Sequence, residues 1–217
     1  MVANQFVFNK WREALGGRIK AIICGSAPLQ PKLASIFTNA GIPVLEGYGL
    51  TECSPVVSVV PFREQDFRAG SVGKLLPSVQ AKIAEDGEIL IKAPNVMLGY
   101  YKNEEETKKV FNEDGWLLTG DIGEFTADGF LKITDRKKEL FKTSGGKYVA
   151  PSPIENKLKE SFYIEQVALE GDGEKFISAL IIPNFDNLKE WSVKNNISFL
   201  SNEELIENQN VKQLYKD

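Results

Sequence analysis

The chain has 217 residues, 42% hydrophobic and 26% charged, with a formal net charge of -4. That is enough material for a substantial core in one or two domains, and the acidic balance argues against a nucleic-acid partner. There is no histidine, which excludes Ser-His-Asp and Cys-His nucleophile systems and His-ligated metals within the chain and leaves positioning, carboxylates, lysines and metal-held phosphates.

Residues 1–5 lack a signal-peptide pattern, and no apolar run is long enough to span a bilayer, so the expected location is the cytoplasm. Apolar residues at Phe6, Val7, Trp11, Ala14 and Leu15 have helical spacing, closed by Gly16-Gly17. Residues 19–24 read as a strand and are followed by the loop Gly25-Ser26-Ala27-Pro28. A helix is expected from Pro31, with Leu33, Ile36, Phe37 and Ala40 on one face and Gly41 at its end. Residues 42–45 read as the next strand. Strand, helix, strand is a crossover unit, so the two strands should lie parallel, with ligands outside their carboxyl ends. Cys24 and Cys53 follow strand-like runs without a disulfide spacing and read as free thiols in a reducing compartment.

The second strand runs into Glu46-Gly47-Tyr48-Gly49-Leu50-Thr51-Glu52, read as the loop leaving its carboxyl end. Gly47 and Gly49 would let a ligand approach the main chain, and Tyr48 offers a flat face for a base. Thr51 offers a hydroxyl for a phosphate oxygen, and Glu52 a hard oxygen ligand for Mg²⁺. A tight turn with a packed tyrosine and a solvated glutamate is the competing reading of the same residues.

From about residue 68 the pattern changes to short strands. Val79, Ala81 and Ile83 alternate, Asp86-Gly87 makes a hairpin turn, and residues 88–93 return. Asn103 and Glu106 form a capping pair for a short helix. Two more turns, Asp114-Gly115 and Asp128-Gly129, frame strands at residues 116–119 and 130–134, giving an antiparallel, partly barrel-like sheet. Asp121, in Thr119-Gly120-Asp121 at a strand end, could accept hydrogen bonds from a ribose diol or belong to a plain turn. Residues 132–147 hold six basic and two acidic side chains, a local +4 that suits either a solvated face or phosphates. Ser152-Pro153-Ile154-Glu155 reads as a capping box, residues 164–169 and 176–182 as a hairpin around Gly171-Asp172-Gly173, and Ser201 with Glu204 as a further capping box. The last helix is expected to place Leu205, Ile206, Val211 and Leu214 near one face.

The Glu46–Glu52 stretch resembles the signature loop of the AMP-forming acyl-CoA synthetases, in the adenylate-forming superfamily. The resemblance extends through the Gly25-Ser26-Ala27-Pro28 loop, Gly87-Glu88-Ile89-Leu90-Ile91, Thr119-Gly120-Asp121 and Asp135-Arg136-Lys137-Lys138. Ser144-Gly145-Gly146-Lys147-Tyr148-Val149-Ala150-Pro151 is similar to the long-chain branch in particular. The resemblance implies a long-chain fatty acid–CoA ligase that uses ATP, Mg²⁺ and CoA. Glu52 would hold the metal, Thr51 a phosphate oxygen, Tyr48 the base, Asp121 the ribose and Arg136 the nucleotide. Glu46, Gly47 and Gly49 would line the nucleotide, Gly25, Ser26 and Ala27 would lie near the acyl and adenine groups, Lys138 would be a domain pivot, and Gly145-Gly146 would lie by the pantetheine channel.

The implied fold is α/β (1–67, the end of a large domain), then a barrel-like antiparallel subdomain (68–134), a hinge (135–138) and a small α+β domain (139–217). This would be a partial adenylate-forming enzyme fold, because the family's phosphate loop and carboxyl-terminal lysine have no counterpart in these residues. The fragment alone is therefore expected to be nearly inactive. Ligases for short-chain, aryl or amino acids, and a non-catalytic nucleotide-binding module, remain as rival readings. A dehydrogenase is disfavoured by the lack of Gly-x-Gly-x-x-Gly after residues 19–24. A peripheral contact with the inner membrane surface would suit a fatty substrate, though no amphipathic basic helix requires one. Nothing in the pattern fixes an oligomeric state.

Overall fold

The computed structural model describes residues 4–61 and 68–216. The subdomain boundary expected at residue 67 falls at residues 62–67, outside the described residues. The chain divides into two units, Met1–Glu139 and Leu140–Asp217.

The first unit opens with a π-helical turn at Asn4–Phe8 leading into α1 (Asn9–Ala14), where one helix was expected. β1 (Ile22–Cys24), α2 (Pro31–Asn39) and β2 (Val44–Gly49) form the crossover, and β1 and β2 pair in parallel as expected. Pro31 starts α2 because its missing N–H costs nothing in a first turn. The helix buries Ala34 rather than the expected Leu33 and Ile36, which stay exposed. After a 3₁₀ turn at Thr51–Cys53 the chain folds back as β3 (Val56–Val59), antiparallel to β2, and β4 (Lys74–Leu75) closes a four-stranded sheet in the order β1-β2-β3-β4.

The second sheet is an antiparallel meander of β5 (Gln80–Ile83), β6 (Glu88–Lys92), β7 (Leu117–Phe125) and β8 (Leu131–Arg136). The Asp86-Gly87 hairpin is found where expected, with Asp86 Oδ1 accepting from the Glu88 N–H. The short helix α3 (Glu104–Lys109) sits between β6 and β7, and the Asn103 side chain caps it through the Glu106 N–H. One core joins the two sheets: Tyr48, Cys53 and Val57 pack with Val79, Ile89, Ile91, Leu117 and Leu131. Burial raises the Cys53 thiol to about 11, with help from the Glu52 charge. Both cysteines are free, as expected.

The second unit starts with a small hairpin, β9 (Phe141–Lys142) and β10 (Tyr148–Val149). In α4 (Pro151–Leu158) the first helical residue is Pro151, one position before the expected box, and Glu155 instead accepts from the Leu169 N–H at 2.8 Å. That carboxylate ties α4 to β11 (Ile164–Glu170), which pairs with β12 (Ser178–Pro183) in the expected hairpin. α5 (Phe185–Lys194) follows. The expected last helix is two, α6 (Asn202–Glu207) and α7 (Gln209–Leu214), because Asn208 turns extended and caps α7 through the Asn210 N–H. Ser201 caps α6 through the Glu204 N–H, as the sequence pattern suggested. Leu188, Leu205 and Val211 form this unit's core, while Ile206 lies outside it, partly exposed.

Candidate functional site

Residues 46–49, expected to form a loop, are the second half of β2. Gly47 and Gly49 do not take left-handed backbone angles. Their lack of a side chain serves the fold: a Cβ at Gly49 would fall 1.6 Å from the Pro55 carbonyl oxygen, and one at Gly47 would lie 3.3 Å from that of Ser58. Glycine is required where β3 doubles back on β2. The parallel crossover does bring the two candidate segments together. Cys24 pairs with Glu46, and a Cβ on Gly25 would touch the Gly47 oxygen at 3.4 Å. Ser26 and Ala27 are exposed beside them, Ser26 with a φ of 67°.

Alternation in β2 puts Val44, Glu46 and Tyr48 on its buried face. Tyr48 is 8% exposed, so its ring does not present the open stacking face anticipated; it is core. Its hydroxyl donates to Asp121 Oδ2 at 2.7 Å. Burial, and then the Asp121 charge, push the phenol up and keep it a donor. Glu46 is buried as well, and its Oε1 has no hydrogen-bond partner among the described residues. Desolvation raises its carboxyl to about 7.

Asp121 was expected at a strand end but lies within β7, at a bulge. Leu118 pairs with Leu90 and Ile122 with Glu88, so β7 takes extra residues here, and Gly120 adopts a φ of 72° that lets the chain bulge. The bulge re-aims Asp121 toward Tyr48. Arg136, opposite it on β8, contributes Nε at 3.0 Å from Oδ1. The carboxylate is thus held from two sides and is 2% exposed, while the Arg136 side chain is 61% exposed.

Two residues that the sequence pattern did not single out support this bulge. Glu88, itself buried, accepts the Gly120 N–H at 2.8 Å with Oε1 and the Lys137 ammonium at 2.7 Å with Oε2. Lys137 also pairs with Asp86 at 2.6 Å; these bonds raise the lysine and lower the aspartate from their ordinary values. A charged residue inside the Glu88–Lys92 apolar strand was the available signal.

Thr51 is exposed at the start of the 3₁₀ turn, and Glu52 follows, half-buried. The phenol of Tyr100 donates to Glu52 Oε1 at 2.8 Å. Among the described residues no three acidic or cysteine side chains gather into a metal-holding group. A single carboxylate suits Mg²⁺, which takes most of its remaining ligands from phosphates and water. Lys138 is exposed in the turn after β8, with no side-chain partner among the described residues. In the second unit, Gly145 and Gly146 lie exposed between β9 and β10, with no neighbour closer than 3.8 Å to an added Cβ. Beside them is a cavity of about 440 Å³ lined by Thr143, Lys147, Tyr148, Ala150, Lys175 and Phe176, among others.

The family model described as AMP-binding enzyme matches residues 1–101. Long-chain-fatty-acid–CoA ligase FadD15 of Mycobacterium bovis is 42% identical over 194 residues, covering 89% of this chain and 32% of the relative. Nearly half of the chain thus matches the AMP-binding enzyme model, and most of its length is similar to a long-chain-fatty-acid–CoA ligase. A second relative, long-chain-fatty-acid–CoA ligase 6 of Mus musculus, is 38% identical, covering 89% of this chain and 29% of the relative. Among solved structures, O-succinylbenzoate coenzyme A synthetase of Bacillus subtilis, in complex with AMP, superposes with a TM-score of 0.70 at 27% identity. That match covers 92% of this chain and 41% of the synthetase. The fold is thus that of adenylate-forming enzymes, an α/β part with a curled antiparallel sheet, and the chain spans about a third of the curated relatives' length. Among the described residues, no helix is long and apolar enough to cross a membrane.

Proposed function

We propose that this chain carries nucleotide-binding machinery of an AMP-forming acid–thiol ligase whose acid is a long-chain fatty acid. The observation that carries the reading is the meeting of Tyr48, Asp121 and Arg136, from three strands, around one buried carboxylate. The relatives' names support the acid, and the synthetase in complex with AMP supports the nucleotide. In a protein of the relatives' full length, a fatty carboxylate would attack the α-phosphorus of ATP to give acyl-AMP and pyrophosphate. The CoA thiol would then displace AMP to give acyl-CoA.

Asp121 and Arg136 bind the ribose and nucleotide, and Tyr48 acts through its hydroxyl, holding Asp121 in place. Glu46, Gly47 and Gly49 shape the strand under the nucleotide, and Gly25, Ser26 and Ala27 border it. Thr51 meets a phosphate oxygen, and Glu52 holds Mg²⁺, which would neutralise phosphate charge when bound. Lys138 is the pivot of a domain rotation. The Gly145-Gly146 turn admits pantetheine, and the adjoining cavity, with Lys147 and Lys175 among aromatic rings, suits the anionic, adenine-bearing end of CoA. None of these roles needs a strong base, which fits a chain without histidine.

Calorimetric titration of the chain with AMP tests the core of this reading. Asp121→Ala and Arg136→Ala are each expected to weaken binding about ten- to a hundred-fold, the loss of a charge-assisted hydrogen bond. Binding that is absent, or indifferent to both substitutions, overturns it. CoA-dependent AMP release with acids from acetate to stearate, by a protein of full family length containing this chain, then decides the substrate. Turnover confined to short or aryl acids reassigns it, and nucleotide binding without turnover of any acid assigns a non-catalytic module.

A further inference from the structure

We propose that Tyr100 is a positioning residue for Glu52, and that the strap of residues 95–100 fixes that carboxylate for a metal-bound nucleotide. The inference rests on the metal role proposed for Glu52. Glu52 sits in a three-residue 3₁₀ turn with no ladder of its own, a poor platform for a ligand that must hold its direction. The strap supplies what the turn lacks. The Met97 N–H donates to the Glu52 carbonyl at 2.7 Å, and the Asn95 side chain donates to the carbonyls of Cys53 and Val56. The Tyr100 phenol then grips the carboxylate itself at 2.8 Å.

Tyr100 is in turn held by α3. Its N–H donates to Thr107 Oγ1 at 2.9 Å, and its carbonyl accepts from the Asn103 N–H at 3.1 Å. Gly99 makes that approach feasible, since a Cβ there would lie 2.6 Å from the Thr107 methyl. The neighbours differ: Tyr101 is 88% exposed and Leu98 fully exposed, so only Tyr100 turns toward the 3₁₀ turn. A phenol is also the apt donor. It orients a carboxylate without cancelling its charge, as a lysine or arginine would, and leaves the full negative charge for a cation. Glu52 Oε2 accepts no hydrogen bond among the described residues, so one oxygen is fixed and the other is open.

The test is Mn²⁺ binding, with Mn²⁺ replacing Mg²⁺, followed by electron paramagnetic resonance on the whole chain with saturating ATP. Tyr100→Phe keeps the ring and removes the donor; it is expected to weaken Mn²⁺ about ten-fold, the usual effect of losing a ligand's orienting partner. Metal-free ATP affinity and Tm should stay unchanged, a separation that a merely structural role would not produce. Thr107→Val, which keeps the phenol and loosens its backbone anchor, is expected to weaken Mn²⁺ less, and it decides the matter if Tyr100→Phe does not fold. Tyr101→Phe should match the unsubstituted chain. Glu52→Gln should abolish the site. If Glu52→Gln binds Mn²⁺ normally, or the unsubstituted chain binds none, the metal role of Glu52 fails. If Glu52→Gln loses the ion while Tyr100→Phe and Thr107→Val keep full affinity, the metal role stands and the inference is overturned.

Discussion

Glu46 on β2 and Asp121 on β7 are both buried carboxylates, yet their partners differ. Asp121 is met by a phenol and a guanidinium. Glu46 has only desolvation acting on it, which raises its carboxyl from 4.5 to about 7. The folded state therefore keeps a proton that the unfolded chain releases near pH 4.5, and stability must fall as pH rises from there through about 7, then level off. The size of that loss is about 3 kcal/mol at most. Glu46→Gln cannot titrate, so its Tm relative to the unsubstituted chain should climb between pH 5 and pH 8. A constant difference across that range would show that Glu46 is ionised inside the fold.

At the scale of elements, the turn and strand glycines divide into two kinds that composition alone does not separate. Gly49 is filled by its own chain, and a Cβ there would overlap Pro55 at 1.6 Å. Gly129, in the hairpin between β7 and β8, has open space around it and a φ of 82°. Gly49→Ala is therefore expected to cost on the order of 3 kcal/mol by forcing β3 away from β2. Gly129→Ala should cost about 1 kcal/mol, from backbone strain alone. Urea denaturation of both variants checks the ranking, and equal losses would mean that β3 yields freely. The same contrast explains why the Tyr48 ring is packed rather than open. With β3 drawn this close, the β2 face carrying Tyr48 becomes core, and only the hydroxyl reaches the site.

For the whole molecule, the division after Glu139 follows a turn whose exposed Lys138 has no partner among the described residues, while Arg136 and Lys137 on either side of the strand end are ion-paired. Brief trypsin treatment is expected to cut first at Lys138, giving two products that mass spectrometry assigns to the two units. An initial cut inside β5–β8 or at Lys157 would place the weakest point of the chain elsewhere. Such a turn is compatible with the pivot proposed for Lys138, because few side-chain bonds would have to break for its backbone to rotate.

Several features were already determined by the sequence. The Asp86-Gly87 hairpin, the caps at Asn103 and Ser201, and the parallel crossover each depend on residues close together in the chain, where spacing and side-chain type decide the backbone. The motifs were legible for the same reason, since each is a short run. Only the tertiary structure decided what the motif residues touch. Residues 46–49 are strand rather than loop because β3 returns to pair with them, and β7 bulges at Asp121 because β6 on one side and β8 on the other impose different registers. Glu88 finds Lys137, and Glu52 finds Tyr100, across 49 and 48 positions of chain. No periodicity reports such meetings; they arise when sheets pack and an otherwise buried or drifting carboxylate takes the nearest donor.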